Sequence, residues 1–340
     1  MIAKRKLYSL VNIDVQQNKK GIFTIRWESK AKDIGVEVFV GDSPRTINRK
    51  ASVASVKGRT SVKINGLDPD ARHYFEVATE GDRSIIVAER HQPFKGVVNF
   101  RDLGGYETAD GYRLKWGQVF RSGHLARVTE EDKRLIKRMG IKVICDFRTP
   151  AEMETQPDWL AEDGSMTYLH YPIVHGEFDP VAAMESMQKG DISWLTEEFM
   201  IKRYIQKIDN FPEVWGEILK KLVDPDNRPL VFHCTAGKDR AGACAALILL
   251  ALGVPEDTVI YDHGLSNDYI ADALEKINER IRQMGIDPEK VAPYFTAPRN
   301  AIVAFVDHIY KSYGSASAYL VNRAGVSKKT LELLKKELLD

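Results

Sequence analysis

The segment from residue 233 to residue 242 restricts the fold of this chain more than any other. Residues 228–232, RPLVF, have the apolar character of a short buried strand, and residues 243–252 that of a buried helix. The residues between them, HCTAGKDRAG, are small or charged, which is typical of a tight strand-to-helix turn. Such a turn directs backbone N–H groups and the positive end of the helix dipole toward one point. We therefore expect an anion-binding loop in an α/β fold.

The loop also carries a nucleophile. Cys234 lies beside inward N–H groups and the guanidinium of Arg240, an environment that favours the thiolate. Arg240 can donate two parallel hydrogen bonds to a phosphate and hold it in line with the sulfur. We expect Cys234 to attack phosphorus and to carry a phosphoryl group that water then removes. The residues expected to bind the phosphate are Thr235, Ala236, Gly237, Lys238, Asp239 and Arg240.

An oxygen that leaves phosphorus needs a proton, so a carboxylic acid is expected near the loop. Asp146 follows the apolar residues 141–145 and is predicted to lie at the carboxyl end of a strand, where open α/β sheets bind ligands. Asp239 lies within the loop itself, where it either catalyses or shapes the loop. We favour Asp146 as the acid at this point and keep Asp239 as the alternative.

These residues resemble the cysteine-dependent protein tyrosine phosphatase superfamily, and the Lys-Asp pair before Arg240 resembles its bacterial group of broad specificity. The similarity extends upstream to NFRDLGGY at residues 99–106, to VFRSG at 119–123 and to DFR at 146–148. It implies a phosphatase domain over residues 93–340, with a central, mostly parallel sheet flanked by helices. It also implies hydrolysis of phosphotyrosine, phosphoserine or phosphothreonine, or phosphoinositides. Arg121 and Lys238 are candidates for contacts with the substrate, including a second phosphate.

One position departs from the family pattern. The family usually has Thr or Ser directly after the arginine, where the hydroxyl bonds the cysteine sulfur and assists breakdown of the phosphoenzyme, whereas this chain has Ala241. The resemblance therefore supports phosphate binding and thiolate attack more strongly than fast turnover. Thr235, next to the nucleophile, is a candidate substitute for the missing hydroxyl.

The composition excludes several classes of protein. A net charge of +1 over 340 residues argues against a nucleic-acid binder with a basic surface. Three cysteines do not form a secreted disulfide framework, and no Cys/His cluster has the spacing of a metal site, so we expect neither a metal nor another cofactor. No apolar segment follows the charged residues 1–6, so we expect no signal peptide, no transmembrane segment and a cytoplasmic location.

Residues 1–92 differ from the rest of the chain in their pattern of apolar and polar residues. Apolar residues alternate with polar ones around Trp27, Val38 and Val62, and turn signals separate these runs, which predicts a sandwich of seven short antiparallel strands. Trp27 and the stretch from residue 67 to Tyr74 resemble a fibronectin type III domain. Residues 91–93 are the expected linker. We expect this domain to act as a spacer, a dimer contact or a targeting module, with an unknown partner.

Two classes of function follow. The first is a metal-independent phosphomonoesterase that acts through a cysteinyl phosphate, on phosphotyrosine proteins with possible dual specificity, or alternatively on inositol phosphates or phosphoinositides. The second is a catalytically weak module that binds a phosphorylated ligand. The long segment from Gly176 to Phe211 is predicted to be either a mobile cover over the site or a packed helix pair.

Overall fold

The computed structural model describes residues 10–18, 20–29, 33–80, 84–159, 164–174 and 180–340. Residues 1–6, to which the expectation about a signal peptide refers, lie outside these ranges, and so does Gly176 at the start of the expected cover. Seven strands occupy the first part of the described chain, and helices with a second group of strands occupy the rest.

The N-terminal region, residues 10–88, consists of two antiparallel sheets. One has the strand order β1-β2-β5 and the other β4-β3-β6-β7. The alternation in the sequence explains the packing: Phe23, Ile25 and Trp27 are buried on one face of β2 while Arg26 is exposed. Apolar residues from both sheets form one shared core. The strands are β1 (Leu10–Gln17), β2 (Phe23–Ser29), β3 (Gly35–Gly41), β4 (Ala54–Lys57), β5 (Ser61–Ile64), β6 (Tyr74–Thr79) and β7 (Ile85–Ala88).

The second part of the chain forms an α/β region around a sheet with the order β11-β10-β12-β9-β8. The first four strands of this order run parallel, and β8 pairs with β9 in the antiparallel sense. The expected α/β architecture with a mostly parallel sheet is therefore confirmed. The strands are β8 (Arg101–Asp102), β9 (Val119–Ser122), β10 (Val143–Asp146), β11 (Thr167–His170) and β12 (Leu230–His233).

Helices pack on both faces of this sheet. Every residue of α6 is buried, which agrees with its apolar sequence and makes it the central helix of the main core. The helices are α1 (Glu130–Arg138), α2 (Pro150–Thr155), α3 (Pro180–Gln188), α4 (Glu197–Asn210), α5 (Pro212–Val223), α6 (Arg240–Leu252), α7 (Glu256–Tyr269), α8 (Ala271–Gln283), α9 (Pro288–Phe295), α10 (Arg299–Tyr313), α11 (Ala316–Asn322) and α12 (Lys328–Leu338).

Side-chain chemistry fixes some of the helix ends. Thr129 caps α1 in a capping box with Asp132, and Gly140 follows the helix with a φ of 65°. Ile270, by contrast, separates α7 from α8 and caps neither helix through its side chain.

None of the helices in the described residues combines the length and the apolar character needed to cross a membrane. The predicted cover between residues 176 and 211 contains α3 and the whole of α4. Helix α4 packs closely against α10 and also contacts α6. In its described part, the segment is therefore built from packed helices.

A partly buried carboxyl group near the end of the N-terminal region makes the stability of the fold depend on pH. Burial raises the pKa of Glu89 from its ordinary value of 4.5 to about 7, although the Gln17 N–H donates to its Oε1 at 2.8 Å. The folded state therefore binds the proton more tightly than the unfolded chain, and stability falls as the pH rises from about 4.5 to about 7.

We expect Glu89→Gln to raise the free energy of unfolding by about 1–2 kcal/mol at pH 8 and to leave it nearly unchanged at pH 4.5. Urea denaturation at the two pH values measures this difference. Glu37→Gln, at an exposed position of β3, is the matched control and should show no such dependence on pH. Equal effects of Glu89→Gln at both pH values would contradict the prediction.

Candidate active site

The predicted loop connects the carboxyl end of β12 with the first residue of α6. Cys234 follows directly after β12 and is 2% exposed. Gly237 has a φ of 71°, and a Cβ at this position would lie 2.4 Å from the carbonyl carbon of Ser122. Only glycine therefore allows the loop to lie this close to the end of β9.

The carbonyl groups and the N–H groups of the loop backbone have different surroundings. Its carbonyl groups accept hydrogen bonds from the surrounding protein: Thr235 O from the His124 N–H at 3.2 Å, Ala236 O from Asn99 Nδ2 at 3.0 Å, and Gly237 O from Arg121 at 2.7 Å. Within the part of the chain that the structure describes, the backbone N–H groups of residues 235–240 have no protein acceptor. The N–H groups are thus available for an anion at the start of α6.

Arg240 is held in place by a carboxylate from another helix. Its two terminal nitrogens donate to the two oxygens of Glu152, at 2.6 and 2.7 Å, in a bidentate arrangement. A second contact joins Arg240 to the Phe147 carbonyl at 3.2 Å. Since both side chains are mostly buried, the guanidinium is fixed in orientation at the base of the loop.

The charges of this pair reinforce each other. Burial would raise the pKa of Glu152, but Arg240 outweighs it and lowers the pKa to about 2. Burial would likewise lower the pKa of Arg240, yet the hydrogen bonds to Glu152 and its negative charge raise it. Both groups are therefore ionised at neutral pH. The signal for this role of Glu152 in the sequence is weak, because the spacing from Thr149 to Glu152 is also that of the capping box of α2.

The hydroxyl of Thr235 takes part in the same arrangement. Thr235 Oγ1 donates to Glu152 Oε1 and accepts from Arg240 at 3.0 Å. The hydroxyl is therefore directed to the carboxylate and the guanidinium. This geometry gives no support to Thr235 as a substitute for the hydroxyl that is missing at Ala241.

Arg121 lies beneath the loop. It is fully buried and donates to Gly237 O at 2.7 Å and to Lys238 O at 3.2 Å, while its other terminal nitrogen donates to Asp262 at 2.7 Å. The expected contact of Arg121 with a substrate does not fit this position, because its terminal nitrogens are used by the protein. Arg121 instead fixes the carbonyl side of the loop.

Lys238 and Asp239 form an ion pair at the end of the loop, with Nζ and Oδ2 2.7 Å apart. Lys238 also donates to the Tyr294 carbonyl at 2.7 Å and is only 5% exposed, so it differs from a solvated surface lysine. The Tyr204 hydroxyl donates to Asp239 Oδ1 at 2.8 Å. Burial would raise the pKa of Asp239, but Lys238, Lys207 and Tyr204 lower it below its ordinary value.

Asp146 lies at the expected strand end, in register with His233. It is fully buried, and its carboxylate accepts from the Arg148 side chain at 2.8–3.1 Å and from the Tyr168 hydroxyl at 2.6 Å. Burial would raise the pKa of Asp146, but His233, Arg148 and Tyr168 lower it to about 2. Asp146 is therefore a buried carboxylate in a network of ion pairs.

Asp158 completes this network. The possible ligand atoms of Asp146, Asp158 and His233 lie within 4.8 Å of one another, a grouping that can hold a metal ion. Arg148 NH2, however, lies 2.8 Å from Asp146 and 2.6 Å from Asp158. The guanidinium thus already supplies the positive charge that these carboxylates require, and the residues do not fit a metal site.

Two cations on α4 that the sequence analysis missed face the loop. Arg203 and Lys207 are four residues apart and are both buried, and Lys207 Nζ lies 4.1 Å from the centre of the Tyr204 ring. Burial lowers the pKa of Lys207 well below its ordinary value, and Arg203 adds to this effect. The spacing i, i+4 was visible in the sequence, but it does not tell which neighbour that helix face contacts.

A large cleft lies elsewhere in the molecule. It has a volume of about 1220 Å³ and is lined by residues such as Gln118, Lys142 and Pro229, which precede β9, β10 and β12. It is therefore at the edge of the sheet opposite to Cys234. The loop is the candidate active site, because Cys234, the fixed Arg240 and the available N–H groups are all there.

Comparison with known proteins identifies the family to which the α/β region belongs. A model of the tyrosine phosphatase family matches residues 92–340, which include the loop, Glu152 and the residues beneath the loop. A relative from Cupriavidus necator, provisionally named a tyrosine-protein phosphatase, is 27% identical over 245 residues, covering 72% of this chain and 88% of the relative.

Two further relatives carry similar names. The triple specificity protein phosphatase PtpB of Mycobacterium tuberculosis is 28% identical over 275 residues, covering 72% of this chain and 97% of that protein. A tyrosine-protein phosphatase of Nostoc commune is 26% identical over 229 residues, covering 64% of this chain and 73% of that protein. The chain belongs to the tyrosine phosphatase family and is a protein tyrosine phosphatase-like enzyme.

Proposed function

We propose that this enzyme hydrolyses phosphate monoesters, chiefly phosphotyrosine, through a cysteinyl-phosphate intermediate and without a metal ion. The observation that carries the proposal is the loop backbone, whose carbonyls are bonded outward while the N–H groups of residues 235–240 are available to a phosphate around Cys234. Arg240, fixed by Glu152, supplies the remaining positive charge. Together they neutralise the phosphoryl oxygens, the task that a metal ion performs in other phosphatases.

The proposed reaction has two steps. In the first, the Cys234 sulfur forms a bond to phosphorus as the bond to the ester oxygen breaks, and a carboxylic acid protonates the leaving oxygen. In the second, the conjugate carboxylate takes a proton from water, and the water oxygen displaces the sulfur. Inorganic phosphate and the free thiolate are the products.

We assign the acid to Asp239 in preference to Asp146. The side chain of Asp239 is 25% exposed and belongs to the loop, whereas that of Asp146 is fully buried with Arg148 and Tyr168 as partners. Lys238 keeps Asp239 ionised in the free enzyme. A phosphate dianion bound beside it opposes that charge and favours the protonated form that the first step needs.

Hydrolysis of p-nitrophenyl phosphate in the presence of EDTA tests the proposed function. We expect activity in EDTA, and we expect Cys234→Ser to lower it by about 10⁴-fold or more. Cys244→Ala, a buried cysteine of α6, is the matched control and should retain the activity. If the parent enzyme shows no hydrolysis between pH 5 and 7 but still binds phosphate, the chain is a phospho-ligand-binding module and the proposal is wrong.

Ala241 leads to a prediction about the second step. The residue is fully buried at the start of α6, and no hydroxyl is present at this position to bond the sulfur. We expect the parent enzyme to accumulate phosphoenzyme and to release a burst of p-nitrophenol. The variant Ala241→Ser should show a smaller burst and a steady-state rate about 3- to 10-fold higher. Ala243→Ser, about 200° further round the helix, is the control. A parent enzyme without a burst would contradict the prediction.

A second candidate substrate class is supported by the cations around the loop. Arg203 and Lys238 add to Arg240, while Asp239 and Glu152 are the carboxylates among them. The excess of positive charge suits a ligand with several phosphates, such as an inositol phosphate or phosphoinositide. A panel of phosphotyrosine, phosphoserine and phosphothreonine peptides and inositol phosphates, compared by kcat/KM, distinguishes the classes. A preference for the inositol phosphates would replace phosphotyrosine as the main substrate.

We further propose that residues 1–92 form a fibronectin type III-like sandwich and residues 93–340 the phosphatase domain. The strand orders β1-β2-β5 and β4-β3-β6-β7 and the core shared by the two sheets support this assignment. The match of the phosphatase family model from residue 92 supports the boundary. Independent expression of residues 93–340 as a folded protein would test this division directly.

A further inference from the structure

The segment that joins the N-terminal region to the α/β region is itself paired with the five-stranded sheet of the α/β region, at strand β8. The Asp102 N–H donates to Arg90 O at 3.0 Å, and the Gln92 N–H donates to Phe100 O at 2.9 Å. Between them, the His91 ring stacks on Tyr269 with the centroids 4.2 Å apart. The expected linker is therefore a further strand-like segment along the edge of β8.

Arg72 extends from the N-terminal region to the same short strand. Its NH2 lies 2.6 Å from Asp102 Oδ2, and the side chains of Arg72 and Asp102 are 5% and 0% exposed. Arg72 Nε donates to the Tyr74 hydroxyl at 2.7 Å. Asp102 also accepts from the N–H groups of Gly104 at 2.8 Å and Gly117 at 2.7 Å, so one buried carboxylate joins three segments.

The neighbouring residue of β8 faces the opposite way. Arg101 is fully buried and donates to Asp262 Oδ1 at 3.2 Å and to the Ser266 hydroxyl at 3.1 Å. Asp262 Oδ2 in turn accepts from Arg121 at 2.7 Å, and Arg121 holds the carbonyls of the catalytic loop. The two residues of β8 thus contact the N-terminal region on one side and the support of the loop on the other.

We propose that Arg72 is a positioning residue through which the N-terminal region holds the catalytic loop in its phosphate-binding conformation. Strand β8 is only two residues long and lies between β9 and the segment of residues 90–92, so its position depends on the groups that contact it on both sides. Arg72 neutralises the buried Asp102 and fixes β8, and Arg101 on β8 fixes Asp262 and Arg121. The inference rests on the proposed function, since it assigns the loop to phosphate binding.

The test uses the full-length protein and follows alkylation of Cys234 by iodoacetamide at pH 7, detected by mass spectrometry, with inorganic phosphate as the protecting ligand. The variants are Arg72→Lys, Arg72→Met and the double variant Arg72→Met with Asp102→Asn, in which no uncompensated carboxylate remains. Arg138→Gln is the matched control, because Arg138 forms an exposed ion pair with Asp68 across the same boundary at 3.3 Å.

We expect the phosphate concentration for half-maximal protection to rise about fivefold or more in Arg72→Met and in the double variant, and to change less than twofold in Arg138→Gln. Arg72→Lys should recover part of the affinity. Because the double variant removes the unpaired charge, its unfolding temperature should recover while its phosphate affinity stays low, which a general loss of stability does not explain.

Two outcomes would overturn the inference in distinguishable ways. Unchanged phosphate protection in the folded double variant, together with normal protection in the parent, would show that the N-terminal region does not position the loop. A parent enzyme in which phosphate does not protect Cys234 would overturn the proposed function, and the inference with it.

Discussion

Arg240→Lys is expected to lower kcat/KM for an aryl phosphate by about 10³-fold, with little change in the unfolding temperature. The reason is geometric: arginine holds its N–H groups in one rigid plane that Glu152 orients, whereas lysine presents a single point charge. The structure adds a second reason. Glu152 fixes the guanidinium through two hydrogen bonds at 2.6 and 2.7 Å, and an ammonium group cannot keep both.

The same substitution separates two roles of Arg240. Lysine keeps a positive charge near the sulfur, so alkylation of Cys234 at neutral pH should change only a few-fold while turnover collapses. Arg203→Lys, on α4, is the matched control for a charge-conserving change near the loop and should retain most of the activity towards aryl phosphates. Retention of more than a tenth of the activity by Arg240→Lys would contradict a role of the oriented guanidinium in the transition state.

Glu152→Gln tests the support of the arginine from the other side. We expect Glu152→Gln to lower kcat/KM for an aryl phosphate less than Arg240→Lys does, because glutamine still offers one acceptor to the guanidinium. The contribution of this ion pair to the stability of the folded state depends on pH in a defined direction. Since Arg240 lowers the pKa of Glu152 to about 2, the ion pair stabilises the folded state above the ordinary value of 4.5 and is lost as the pH falls toward 2.

The parts of the site that the sequence predicted are those that are contiguous in the chain. Cys234, Gly237 and Arg240 lie in one strand-to-helix turn, so their spacing alone determines that they meet around one point. The rule that ligands bind at the carboxyl ends of parallel strands also placed Asp146 at the correct edge of the sheet. The other role open to Asp146, a structural partner of Arg148 two residues later, is the one that the structure shows, because Arg148 turns back to bind the same carboxylate.

The parts that were missed come from distant segments. Glu152 is 88 residues from Arg240, and its side chain both caps α2 and binds the arginine, so its local role conceals its distant one. Arg203 and Lys207 belong to an amphipathic helix whose orientation toward the loop is set by tertiary packing. Such contacts depend on how helices pack on the sheet, which single-sequence periodicity does not determine.

The position of the N-terminal region is another tertiary feature that the sequence pattern did not predict. The alternation of apolar residues predicted its strands, and the residues at 91–93 had the composition of a linker. The structure instead shows that backbone hydrogen bonds of Arg90 and Gln92 to β8 and Phe100 extend the five-stranded sheet of the α/β region. A polar segment with unsatisfied backbone groups gains stability by pairing with an open edge, whatever its composition.

Asp239→Asn is expected to slow hydrolysis in proportion to how poor the leaving group is. For p-nitrophenyl phosphate, whose leaving phenolate is stable, we expect a loss of about tenfold or less. For phenyl phosphate or a phosphotyrosine peptide, whose leaving oxygen needs the proton, we expect a loss of about 10²- to 10³-fold. The ratio of the two losses measures the proton transfer itself.

Asp146→Asn is the matched comparison, because it removes the other candidate carboxylate at the same edge of the sheet. Its loss should be equal for the two substrates, since Asp146 binds Arg148 and Tyr168 and affects the site only through its structure. It should also lower the unfolding temperature, because Arg148 loses a charged partner in a buried network. A leaving-group dependence in Asp146→Asn that is absent in Asp239→Asn would reverse the assignment and make Asp146 the acid.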